Sequence, residues 1–249
     1  MGPLRRLTLI LGAAVSLAMA RPVGAAPCEL PPSLRGIPVP ARSLSASDSC
    51  LVDAVIRDPA TASTAGPAHT PLERPLFDFL IDHPEAGAEL ARSLSVEDIL
   101  FRREGPDRFW VDDKDGSAGT LRLLSKSETE RLYYFDCVHD EPFYWPVRVR
   151  VVLLMKNESL PPSAGGGQDS TLAVYTRIED PVIRALISLF GRVARRVVSR
   201  KAAKGMKLSS RLGAALRQRP LDAVRALPAM PLGAEERKEL EAQLKRLLP

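Results

Sequence analysis

From Asp180 to Gly205 (DPVIRALISLFGRVARRVVSRKAAKG) apolar residues recur at Ile183, Leu186, Ile187, Phe190, Val193, Ala194, Val197 and Val198. That is the i, i+3, i+4, i+7 spacing of a helix with one apolar face. Asp180 is placed to cap its start, Pro181 suits the first turn, and Arg200, Lys201 and Lys204 complement the dipole near the far end. Gly205 is expected to stop it. The opposite face carries Arg184, Arg192, Arg195 and Arg196. A helix built this way must lay its apolar face on another layer, so the upstream chain has to supply one.

The upstream chain does so by a change of period. Alternating segments at Ile99–Arg103, Arg108–Asp112, Gly119–Ser125, Arg131–His139, Val147–Lys156 and Thr171–Glu179 are separated by turn chemistry such as Gly105-Pro106-Asp107 and Asp115-Gly116. They predict an antiparallel meander. In the longest segment Val147, Val149, Val151, Leu153 and Met155 share one face, while Arg148, Arg150 and Lys156 share the other, as for a sheet with one buried and one wet side. Before the strands, PLFDFLIDHPEAGAELARSL predicts two short helices broken at His83-Pro84. The Gly165-Gly166-Gly167 loop lacks the strand and helix that a phosphate cradle requires.

The start of the chain fixes the expected compartment. Arg5 and Arg6 precede an uncharged apolar run, Leu7–Ala20, followed by small-residue patterns at Ala18-Met19-Ala20 and Gly24-Ala25-Ala26. Residues 1–26 therefore read as a secretory signal peptide, too short in its apolar run for a comfortable membrane span. Pro27 stands where a lipid-anchored Cys28 would need a small residue. In an oxidising compartment the three cysteines take on meaning. Cys28 and Cys50 share a Pro/Ser-rich segment, whereas Cys137 lies within a strand pattern, so a Cys28–Cys50 disulfide is expected, with Cys137 a buried thiol.

Residues 27–70 read as a Pro/Ser-rich extension with one short helix at Ser47–Arg57 and a loose linker over Asp58–Thr70. The core domain is placed at 71–216. A helical tail, 217–249, ends in a charged helix, Ala234–Leu248, whose Leu240, Leu244, Leu247 and Leu248 can dock on the domain.

Two short helices (PLFDFLIDHPEAGAEL), strands such as RFWVDDKDG and WPVRVRVVLLMK, and a long closing helix (IEDPVIRALISLFGRVARRVVSRKAAKG) together resemble the helix-grip domain of the START-like superfamily, which includes polyketide cyclases and lipid-transfer domains. The likeness lies in element order and patterning over about 71–216. It implies an α+β fold, a curved antiparallel sheet of six to seven strands gripping the long helix, and an apolar ligand such as a lipid, sterol or polyketide between them. The family opens with a strand before the paired helices. Thr61–Thr70 (TASTAGPAHT) is poor strand material, which leaves that strand weak or placed farther upstream. Candidate wall residues are Phe101, Trp110, Tyr134, Phe143, Tyr144, Trp145, Ile187 and Phe190, each able instead simply to fill the core.

Chemistry beyond binding has few carriers. With three histidines, an acid–base site rests on His139 beside Asp136, Asp140 and Glu141. No second histidine or cysteine stands at ligand spacing, and Asp112, Asp113 and Asp115 lack the closing glutamate of a calcium loop, so neither metal nor cofactor is expected. Three functions remain open: an exported carrier of a hydrophobic small molecule or lipid, drawn to an anionic membrane surface by its basic helices; a protein-interaction module with a filled core; and a cyclase- or hydrolase-type enzyme. Export, and basic residues without interleaved aromatics, argue against nucleic acid.

Overall fold

A computed structural model describes residues 28–140, 146–189 and 191–248, with the backbone alone for 186–189 and 191–194. The chain folds as an α+β helix-grip arrangement: a curved seven-stranded antiparallel sheet with a long helix packed on it. Following a small hairpin, β1 (Ser33–Leu34) and β2 (Ile37–Pro38), come α1 (Ala46–Ile56), β3 (Thr61–Thr70), α2 (Arg74–Asp82) and α3 (Pro84–Ser93). The meander β4 (Leu100–Gly105), β5 (Arg108–Asp112), β6 (Ser117–Lys126), β7 (Glu130–His139), β8 (Val147–Ser159) and β9 (Gln168–Ile178) then pairs each strand with its predecessor. The helices α4 (Pro181–Leu189), α5 (Gly191–Gln218), α6 (Pro220–Ala226) and α7 (Ala234–Lys245) follow.

Thr61–Thr70 is the opening strand and not a linker. It joins the sheet at the edge beyond β9, giving the order β3-β9-β8-β7-β6-β5-β4. Its unpromising Gly66-Pro67 falls in a bulge, where the register slips between Ala65 and Ala68 and Pro67 owes the ladder no donor. Gly66 has φ +103° there, and a Cβ on it would stand 2.5 Å from the Ser170 carbonyl oxygen. Tertiary pairing thus overrides weak local propensity.

Gly205 does not end the helix. α5 is continuous through it to Gln218, because buried contacts lie on both sides of the glycine. Val198 and Ala202 pack on the sheet, while Leu212, Ala215 and Leu216 enter a second core formed with α2, α3, α6 and α7. A glycine in a helix interior costs about 1 kcal/mol, little against those burials. Leu240 and Leu244 of α7 are fully buried in that core, as the sequence pattern expects of a docked tail.

The outer side of the sheet is only partly wet: Arg148 and Val138 stay exposed there, but the middle of β7–β9 is covered. On the face away from α5, the N-terminal extension lays Leu34, Ile37, Val52 and Val55 over Leu132, Tyr134, Val152 and Leu154. The disulfide between Cys28 and Cys50 closes this strap, with the cysteines 22 positions apart. Arg177 pins α1 by donating from Nη1 to the Ala54 carbonyl near the helix end, where a cation is favoured.

Candidate functional site

Strand register assigns the face that looks toward α5. Val151 and Val174 pack against Val198 and Ala202 of α5, so the odd residues of β7 and β8 and the even residues of β9 line the concave side. One cross-strand row runs Phe109, Leu121, Phe135, Val151, Thr176. The next, toward the β5–β6 turn, runs Phe101, Val111, Gly119, Cys137, Val149. On the other side lie Leu123, Tyr133, Leu153 and Val174. The result is a nearly continuous apolar floor. It is only partly sealed: Val151 and Val174 are buried, yet Leu121, Phe135, Leu153 and Leu172 all keep accessible surface.

Polar groups gather at the end of the floor closed by α2. Arg131 is 1% exposed. It donates from Nε to the Asp82 carboxylate at 3.1 Å and from Nη2 to Asp78 at 3.2 Å, which fastens α2 to β7. Its Nη1 is buried and makes no hydrogen bond. Beside it, Tyr133 retains accessible surface, yet burial pushes its phenol well above the ordinary range, with Arg131 opposing and Asp82 adding. Cys137 is chemically quiet: burial, helped by Asp136 and Asp113, pushes its thiol up to about 12, and its Sγ donates to the Val149 carbonyl.

At the other end, the β5–β6 turn holds α5 down. Lys201 donates from Nζ to the Asp113 carboxylate at 2.9 Å and to the Asp115 carbonyl. Partial burial raises Asp113, but the Lys201 ammonium and the backbone N–H groups of Ser117 and Asp115 outweigh it and hold the carboxyl below its usual range. Gly119 lies under this end, and a Cβ there would meet the Asp136 carbonyl oxygen at 2.2 Å. The aspartates that resemble a calcium loop are thus occupied by Lys114 and Lys201.

Among the expected wall residues, Phe101 lies on the concave face. Trp110 and Tyr134 lie on the opposite one. Trp110 pairs with Thr120 in the row of Asp136, and Tyr134 packs with the α1 cluster, so neither borders the space under α5. Phe143, Tyr144, Trp145 and Phe190 fall outside the described residues, as does the Ile187 side chain. The sequence reading missed Tyr133, Phe135 and Leu123. The signal was the period-two pattern of RLYYFDCVH, whose odd positions must share a face.

Strand parity also separates the expected acid–base pair. Asp136 faces outward and binds Arg148 through two hydrogen bonds, 2.9 and 2.7 Å, which hold its carboxyl low. His139 lies on the inner side, its Nδ1 3.0 Å from the Ser117 hydroxyl. Glu141 falls outside the described residues. Among the described residues no group of three or more His, Cys, Asp or Glu could hold a metal ion, and no helix is long and apolar enough to cross a membrane. No protein-family model matches the chain, and no curated protein matches it in sequence.

Proposed function

We propose that this is an exported binding protein that carries a hydrophobic small molecule or lipid between the concave sheet face and α5, in the manner of the START-like proteins its element order resembles. One observation supports this above the rest. The apolar floor under the helix keeps accessible surface at Phe135, Leu153 and Leu172. The orphan Arg131 Nη1 and the Tyr133 phenol supply a polar end, which suits an apolar molecule bearing one hydroxyl or carbonyl oxygen. The Cys28–Cys50 disulfide supports an oxidising compartment outside the cytoplasm.

Organic extraction of the purified protein followed by mass spectrometry tests the reading. A recurrent apolar compound, released on unfolding and absent from a mock purification, is expected. An empty protein that takes up no lipid on incubation would instead favour an interaction module with a filled core.

A second reading rests on the contact between Ser117 and His139. A hydroxyl hydrogen-bonded to an imidazole is the start of a nucleophile–base pair for acyl transfer. Turnover of a p-nitrophenyl ester that disappears in Ser117→Ala, with the fold intact, would support it; equal background rates in both proteins would remove it.

A further inference from the structure

The solvent face of α5 carries an observation independent of any ligand beneath it. Between Asp180 and Asp222 the sequence holds eleven Lys and Arg and not one Asp or Glu. Seven of the cations in α5 form two sets. Lys201 is taken by Asp113 and Asp115, while Lys204 and Arg211 share Glu97. Arg196, Arg200, Lys207 and Arg217 are exposed and make no ion pair among the described residues.

These four share a side of the helix. At 100° per residue, Arg196, Arg200 and Lys207 fall within an arc of roughly 40°, with Arg217 roughly 60° to one side. The stripe from Arg196 to Arg217 is about 32 Å long. Ala203, Ser210 and Ala214 lie along the same line, too short to hold a facing surface away. An uncompensated row of like charges this long repels itself, and a single small anion could neutralise only part of it.

We infer that this face of α5 docks the protein onto an anionic lipid bilayer. A bilayer presents phosphate charge as an extended plane, which matches a long, straight stripe of cations. The apolar face of α5 is committed to the protein's own cores, so docking is electrostatic and peripheral, without insertion. Nucleic acid fits less well: α5 contains no aromatic residue on which bases could stack.

The test is co-sedimentation of the full chain with vesicles of phosphatidylcholine alone and of phosphatidylcholine with about 30% phosphatidylglycerol, which gives an anionic surface. The protein is compared with the variant Arg196→Gln/Arg200→Gln/Lys207→Gln/Arg217→Gln. Both share residues 1–26, so the difference between them reads α5 alone. Binding to the anionic vesicles is expected to weaken with added salt. Each removed charge should lower partitioning about fivefold, with circular dichroism unchanged. Equal binding of protein and variant, or no preference for anionic vesicles, overturns the inference. Tighter binding of a labelled DNA duplex than of vesicles through the same four residues would also overturn it.

Discussion

Lys201, midway along α5, donates a hydrogen bond from Nζ to Asp113 in the β5–β6 turn at 2.9 Å. This contact joins the helix to the far limb of the sheet, opposite the β3 edge along which α5 also runs. The Lys201 and Asp113 side chains are 26% and 27% exposed, so the bond is partly shielded from water. Lys201→Met should cost about 1–2 kcal/mol at pH 7 in urea unfolding. The folded Asp113 carboxyl is held low, so its contribution is present above the unfolded value and is lost as pH falls through the folded one. The gap between wild type and variant should therefore shrink below about pH 4.

Arg131 should be costly to remove. It is buried between Asp78 and Asp82, and Arg131→Met leaves those carboxylates without their shared partner. A loss of about 3–5 kcal/mol is expected from chemical denaturation. Adding Asp78→Asn and Asp82→Asn should recover part of it, because two carboxylates left with only Arg74 and Lys126 then lose their charge.

Two glycines should respond oppositely to alanine. At Gly119 the new Cβ would collide with the backbone of β7, 2.5 Å from the Cys137 Cα, and a loss of about 2–4 kcal/mol is expected. At Gly205 nothing lies within 4 Å of the added Cβ, and the helix gains propensity. Gly205→Ala should therefore stabilise by about 0.5–1 kcal/mol, read as a raised melting temperature.

The strap depends on its bridge. The Cys28–Cys50 loop closes over 22 positions, and loop entropy assigns about 3 kcal/mol to it. Urea unfolding with and without a phosphine reductant should show that loss. Cys137→Ser should leave the difference unchanged, since that thiol is unbridged.

Local pattern revealed most of the architecture but not how its layers meet. The six meander strands and the helix break at His83-Pro84 were legible because alternation and proline act locally. The strand at Thr61–Thr70 was not, since its place comes from eight register pairs with β9 and not from its own composition. Continuity through Gly205 depends on burial on either side of it. The site was harder still. Choosing Tyr133 over Tyr134 required the parity of the β7–β8 pairing, and the connection between those strands does not set parity from sequence. The cover on the outer face was hidden for a related reason: Val152 and Leu154 are buried only because the distant α1 lies on them.

Titration with an apolar fluorescent probe such as 1-N-phenylnaphthylamine tests the central claim most directly. Leu153 faces the space under α5, while Val138 sits on the outer face with 42% of its surface exposed. The account predicts saturable binding at about one site per chain, weakened roughly tenfold or more by Leu153→Trp, which fills the space, and unchanged by Val138→Trp. Absence of saturable binding, or equal binding by a folded Leu153→Trp protein, would contradict it.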